Sequence, residues 1–243
     1  MQEAQNTRNG NLYLSDGAIE LLKWVALVLM TGDHINKYLL DEPNTLLFSL
    51  GRLVLPIFVF VLAYNLTRPN VTEINYIRAI KRMLFFGLLA TPAFIFIGGD
   101  IAIVMGDSLP DWKVLNILFT LALLTGCLLA FEKGQNKKVW LWLGWLSFAL
   151  LGAFVEYFWG ALGLGVTVWW YYKNSSETKT RLVFLLSILF LFILNQANVS
   201  FLIAFPLIYI ASKCSFKVPR MKWFFYVYYP AHLTVIYAVK VLT

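Results

Sequence analysis

Residues 45–66 read TLLFSLGRLVLPIFVFVLAYNL, 22 residues with Arg52 as the one formal charge. About 20 consecutive apolar residues span a bilayer as a helix. Similar runs recur along the chain, at 18–38, 82–99, 114–131, 138–153, 156–172, 182–197, 199–212 and 223–242. Of the 243 residues 60% are hydrophobic and 14% charged, with a mean hydropathy of +0.70 and nine Trp, twenty Phe and twelve Tyr. Soluble domains carry roughly 45–50% apolar and about 25% charged residues. This composition excludes a soluble globular enzyme, a disordered chain and a disulfide scaffold. Long continuous runs, rather than short alternating ones, also exclude a β-barrel. The expectation is an all-α, polytopic integral membrane bundle of about nine transmembrane helices. It forms one domain, residues 18–243, behind a polar tail of residues 1–17.

The pairs 138–172 and 182–212 are short for two spans each. They break at Gly152–Glu156 and at Asn195–Ser200, which predicts two tight helical hairpins. Charge supports the count. With the N-terminus in the cytoplasm, the inner connections hold Arg68, Arg78, Lys81 and Arg82 against Glu73, then Lys133, Lys137 and Lys138 against Glu132. Lys173, Lys179 and Arg181 follow against Glu177, then Lys213, Lys217, Arg220 and Lys222 unopposed. Each of these is net positive. The tail, with Glu3, Arg8 and Asp16, is slightly negative. The outer set holds Asp33, Asp41, Glu42, Asp100, Asp107, Asp111 and Glu156 against Lys37, Lys113 and Lys240. A miscounted span would scramble this alternation. The net charge of +7 thus reads as membrane orientation rather than nucleic-acid binding. Cys127 and Cys214 have no metal-like spacing and read as free thiols. Lys23 and Asp33 in the first span, without a small-residue cleavage site, point to a retained helix rather than a signal peptide.

Ionisable groups inside membrane spans mark function by default, because hydrocarbon disfavours them by several kcal/mol. Here they are Glu20, Lys23, Asp33, His34, Arg52 and His232, which include both histidines of the chain. At about 1.5 Å per residue, His34 lies roughly 24 Å along the first helix and Arg52 roughly 9 Å below the outer face on the returning helix. The two share a depth. Asn116 enters near the same level and His232 lies near mid-membrane, so four polar groups converge on an outward-leaning cavity.

Plainer readings stand beside this one. Asp33 pairs with Lys37 one turn on, His34 bonds a backbone carbonyl at the interface, Arg52 snorkels to headgroups, His232 is a packing residue, and Glu20 pairs with Lys23. A histidine base beside an arginine suits proton transfer from a nucleophile while the cation holds an anionic or carbonyl group. The same residues suit a proton-coupled transporter. No phosphate loop, zinc signature or nucleophile elbow is present in the sequence.

The stretch Lys23-Trp-Val-Ala-Leu-Val-Leu-Met-Thr-Gly-Asp-His-Ile-Asn36 resembles the first helix of the TraX family, the membrane-bound N-acetylases of conjugative F-type pilins. The likeness continues at Gly51-Arg52, Pro56-Ile-Phe58, Asn65-Leu66-Thr-Arg68, Asn116-Ile-Leu-Phe119, Glu156-Tyr157 and Tyr229-Pro-Ala-His232-Leu233. The family is similar in turn to the large membrane acyltransferase superfamily, whose members carry acyl groups from a cytoplasmic thioester to an acceptor outside. The resemblance implies a multi-pass protein of the bacterial cytoplasmic membrane. It implies acetyl-CoA as donor, no metal, and an amino group as acceptor, in pilin's case the N-terminus of the processed subunit. It makes His34 the general base or a transient acetyl carrier and Arg52 the group that holds the thioester carbonyl or a donor phosphate. Asp33 belongs to the same catalytic set, and Asn36, Asn116 and His232 support it. Arg68, Arg78, Lys81 and Arg82 stand near the donor phosphates. The tail and residues 139–172 depart from the F-type pattern, which leaves the acceptor open. An O-acetyltransferase of an envelope glycan and a non-enzymatic transporter or assembly protein are the alternatives.

Overall fold

The computed structural model describes residues 12–98, 114–173, 177–195, 197–215 and 217–242. The expectations that concern Glu3, Arg8, Asp100, Asp107, Asp111 and Lys113 lie outside the described residues, as does most of the tail. The helices are α1 (Asp16–Tyr38), α2 (Thr45–Gly51), α3 (Val54–Leu66), α4 (Glu73–Phe96) and α5 (Ile117–Gly134). They continue with α6 (Lys138–Leu151), α7 (Phe158–Tyr172), α8 (Glu177–Leu194), α9 (Ala204–Lys213) and α10 (Phe224–Leu242). No strand occurs among the described residues. The fold is an all-α helical bundle, as its apolar runs require.

Helix ends follow the local sequence. Ser15 caps α1, its hydroxyl accepting from the Ala18 N–H at 3.2 Å. Asn44 caps α2, accepting from the N–H groups of Leu46 and Leu47 at 2.9 and 3.2 Å. Thr72 and Asn75 form a capping box at the start of α4. The expected span at 45–66 is two helices, interrupted at Arg52 and Leu53. The third span begins at Glu73 rather than 82, because a capped amphipathic turn carries the helix through Arg78, Lys81 and Arg82.

Three described helical runs are long and apolar enough to cross a membrane: Thr45–Leu66, Glu73–Phe96 and Ile117–Gly134. The outer surface is apolar. On α6, Val139, Trp142, Leu146 and Leu150 are exposed, and on α8, Leu182, Leu185, Leu189 and Ile193. Contiguous exposed apolar faces of this extent suit lipid as the surrounding solvent. The middle of the bundle is α7, almost wholly buried. Its glycines permit close approach: a Cβ at Gly163 would meet the Ser187 hydroxyl, and one at Gly165 the Leu124 side chain. The two expected hairpins exist as turns but not as packed pairs. α6 packs mainly on α5, α7 mainly on α8 and α3, and α9 on α1 and α3.

Long-range polar contacts sort by side. Asp16 at the start of α1 pairs with Arg68 at 2.6 Å, Glu73 pairs with Lys133, and Lys173 pairs with Glu132 at 3.0 Å. All six residues carry the same side assignment in the charge count. At the other end, Arg52 meets Asp33, Asn198 donates to the Ser49 hydroxyl at 3.1 Å, and Lys240 donates to the Ile97 carbonyl at 3.3 Å. The observed folding-back of the chain therefore supports the alternation of direction read from charge. Leu12 and Leu14, just before α1, are fastened to the first end. Leu14 is fully buried, with both its backbone groups on the Tyr64 hydroxyl, and the Tyr172 hydroxyl donates to the Leu12 carbonyl at 2.8 Å.

Candidate functional site

Near the end of α1, Asp33 and His34 point to different neighbours, as adjacent helical residues must. Asp33 faces the α2–α3 break. Arg52 Nη2 donates to both Asp33 oxygens, at 3.1 and 3.0 Å. Both side chains are mostly buried, at 14% and 13% exposure. Arg52 Nε donates to the Phe48 carbonyl (3.3 Å) and Nη1 to Asn195 Oδ1 (3.5 Å), and the guanidinium lies 4.4 Å from the Phe48 ring centroid. The break in the helix is what frees this side chain to reach α1. Asp33 pairs with Arg52 rather than forming the alternative ion pair with Lys37. Arg52 neither snorkels to headgroups nor presents its guanidinium to an open space.

His34 faces α10. Its Nδ1 lies 2.8 Å from His232 Nε2, and the rings are nearly parallel, with centroids 5.0 Å apart. His232 Nδ1 lies 3.0 Å from the Tyr228 carbonyl oxygen. A carbonyl oxygen only accepts, so His232 Nδ1 carries a hydrogen. In the neutral pair His232 Nε2 is then an acceptor and His34 Nδ1 the donor. That leaves the lone pair of His34 on Nε2. One turn lower, the Tyr228 and Thr31 hydroxyls meet at 2.7 Å and fasten the same two helices.

A cavity of about 750 Å³ runs along this arrangement. Asp33, His34, Gly51, Glu156, Tyr157 and Tyr229 line one end. Arg68, Arg78, Arg82, Arg220 and Lys222 line the other, and apolar side chains such as Leu55, Phe58 and Leu121 line the passage between. The basic end belongs to the side assigned to the cytoplasm.

The candidate residues divide accordingly. Asp33 and His34 line the cavity, with Arg52 and His232 directly behind them. Arg68, Arg78 and Arg82 line its basic end, whereas Lys81 is exposed and does not line it. Asn116 caps α5, accepting from the Leu118 N–H at 3.2 Å and donating to the Gly87 carbonyl at 3.0 Å. Asn36 clamps the following loop, accepting from the Asn44 N–H at 2.6 Å and donating to the Asn44 carbonyl at 3.1 Å. Both asparagines hold the scaffold and neither lines the cavity. Arg220 and Lys222 read in the sequence as connection charges, and Glu156, Tyr157 and Tyr229 as part of the family likeness without a site role; all five line the cavity. Glu20 pairs with Lys23 at 2.5 Å, as its spacing suggests. Cys127 and Cys214 are free thiols.

Gly51 is where the geometry is tightest. A Cβ there would overlap the Asp33 side chain. Gly51→Ala is expected to push Asp33 off Arg52 and to destabilise the fold by about 1–3 kcal/mol, the usual range for overpacking. Thermal unfolding in detergent measures this. An unchanged midpoint would mean that the pair tolerates displacement.

No curated protein and no solved structure matches the chain. The family described as TraX protein matches residues 18–240, nearly the whole length, and includes α1 to α10 almost entirely. The chain belongs to the TraX family.

Proposed function

We propose that the protein is an integral membrane acetyltransferase of the cytoplasmic membrane, crossing it about nine times with its N-terminus inside. It moves an acetyl group from acetyl-CoA to an amine, and a pilin N-terminus is the acceptor that membership of the TraX family favours. The observation that carries this is the cavity itself. One continuous space joins a basic mouth to a histidine whose Nε2 carries the lone pair. Its volume falls in the roughly 300–1,000 Å³ of ligand sites. The cluster of Arg68, Arg78, Arg82, Arg220 and Lys222 suits the phosphates of CoA, and the apolar passage suits its pantetheine arm.

His34 is the general base. Its Nε2 takes a proton from the attacking amine as the nitrogen–carbon bond forms, and returns it to the thiolate as the carbon–sulfur bond breaks. Nδ1 stays bonded to His232, which fixes the ring and the tautomer. Arg52 acts through Asp33: the pair sets the end of α1 and neutralises its own charge. This revises the role expected for Arg52, because each of its three guanidinium nitrogens already donates within the protein, to Asp33, Phe48 and Asn195.

His232 is accordingly a positioning residue. His232→Leu is expected to lower kcat roughly tenfold to a hundredfold, as losing an orienting partner does, with the KM for acetyl-CoA unchanged. His232→Gln, which can still accept from His34 Nδ1, recovers a large part. Equal losses in both variants would remove the tautomer argument.

The function is tested by thiol release from acetyl-CoA in proteoliposomes, with hydrophobic peptides whose N-terminus is free or blocked. Release that requires the free amine supports the reading. Absence of release with every acceptor, together with absence of acetyl-CoA binding, would overturn it in favour of transport or assembly.

A further inference from the structure

Glu156 stands at the His34 end of the cavity with no part in the scheme above. Its backbone is pinned from several sides. The Glu156 N–H donates to the Leu115 carbonyl at 3.1 Å, the Thr120 hydroxyl donates to the Glu156 carbonyl at 3.1 Å, and the Phe158 N–H donates to the Val155 carbonyl at 3.1 Å. Tyr157 and Phe158, which follow, have φ of 59° and 47°, the left-handed region that bulky residues rarely enter. With the main chain held this way, the Glu156 side chain lines the cavity beside Asp33, His34, Tyr157 and Tyr229.

Among the described residues, no cation pairs directly with this carboxylate. Arg52 is engaged by Asp33, and Lys37 attracts the Glu156 carboxylate without forming an ion pair with it. Its near polar partner is the backbone N–H of Ile117 at the start of α5. A glutamine would satisfy that N–H equally well, so this bond explains an oxygen at this point but not a charge. A carboxylate facing a cavity between membrane helices is disfavoured unless something cationic enters to meet it. The basic end of the same cavity suits an anionic donor, which leaves the acidic end for a partner of opposite sign.

We propose that Glu156 binds the acceptor's primary amine as its ammonium and thereby selects amines over hydroxyls. This rests on the acetyltransferase reading. The ammonium gives one proton to the Glu156 carboxylate, which leaves a neutral amine with its lone pair. That nitrogen attacks the thioester carbon, its second proton passes to His34 Nε2 and then to the departing sulfur, and the carbon–sulfur bond breaks. The products are an acetamide and a free thiol, and the Glu156 acid returns its proton to water. A hydroxyl acceptor brings no charge and leaves the carboxylate unmatched.

The test uses thiol release in proteoliposomes with a hydrophobic peptide bearing a free N-terminal amine, and the same peptide with that amine replaced by hydroxyl. Glu156→Gln is expected to raise the KM for the amine peptide by about tenfold or more, the scale of a charge-assisted hydrogen bond. Acetyl-CoA binding is expected to be retained, the preference over the hydroxyl peptide to narrow, and Glu156→Asp to stay nearer to wild type. In the wild type itself, the N-terminally trimethylated peptide, a cation that cannot react, is expected to inhibit at least tenfold more tightly than the hydroxyl peptide. This comparison needs no variant and stands if Glu156→Gln folds poorly. Equal inhibition by the two analogues, or an unchanged amine KM in Glu156→Gln, overturns the proposal. Failure of the wild type to release thiol with any acceptor would instead remove the acetyltransferase reading beneath it.

Discussion

Replacing His34 by Ala is expected to lower kcat for acetyl transfer by about 10²–10⁴-fold, the usual contribution of a positioned general base, while the protein still inserts and binds acetyl-CoA. The expectation follows from the arrangement of its two nitrogens. Nδ1 is fixed by His232, which is fixed in turn by the Tyr228 carbonyl, so the reactive nitrogen is held in one tautomer. Ala removes the lone pair without adding bulk or charge. His34→Gln fills more of the space and keeps a donor towards His232, but it has no nitrogen lone pair to accept a proton. It is expected to be as slow as the Ala variant. Thiol release by both variants, measured at saturating acetyl-CoA and peptide, makes the comparison. Full activity in either would take His34 out of the mechanism. Loss of acetyl-CoA binding alongside activity would mean that the histidine pair holds α1 against α10 rather than moving protons.

The histidine pair and the ion pair show how far the amino-acid sequence reached. Helical rise alone placed His34 and Arg52 at one depth on antiparallel helices, and the structure brings their neighbourhood together through Asp33. Depth says nothing about rotation. Whether Asp33 turned to Lys37 or to Arg52 depended on the break between Gly51 and Val54, and no periodicity marks a break in a run that is apolar throughout. Asn116 and Asn36 were misleading for a related reason: a polar residue at a helix end caps or clamps backbone, and its side-chain chemistry is the same as that of a ligand-binding asparagine. Glu156, Arg220 and Lys222 suffered the opposite fate. Each falls in a connection where charge is ordinary, and only the fold shows them lining the cavity. The apolar runs were legible because bilayer thickness fixes helix length. The site was legible only as a set of unusual residues, because helix rotation and turn geometry decide which of them meet.

Breaking the Asp33–Arg52 pair is expected to be the most destabilising single polar change in the chain. Arg52→Ala leaves the Asp33 carboxylate with 13% exposure and without its counter-charge. Removing one partner of a buried pair costs about 3–5 kcal/mol. Each side chain here keeps a little solvent contact, so the lower end, about 3 kcal/mol, is the expected value. Arg52→Lys is expected to recover only part, because an ammonium on a flexible stem cannot meet Asp33, the Phe48 carbonyl and Asn195 together as the planar fork does. The double variant Asp33→Asn/Arg52→Gln removes both charges and keeps hydrogen-bonding groups of similar size. It is expected to be more stable than Arg52→Ala, because no lone charge stays buried. Unfolding in mixed micelles of the wild type, Asp33→Asn, Arg52→Gln and the double variant gives the coupling energy directly. A coupling below about 1 kcal/mol would make the pair a wet surface contact and would undo its assignment as the clamp between α1 and the α2–α3 break. Activity separates the remaining roles. If Arg52 acts only through Asp33, the double variant regains transfer along with stability. A double variant that is stable yet inactive would show that one of the two charges acts on the substrate itself.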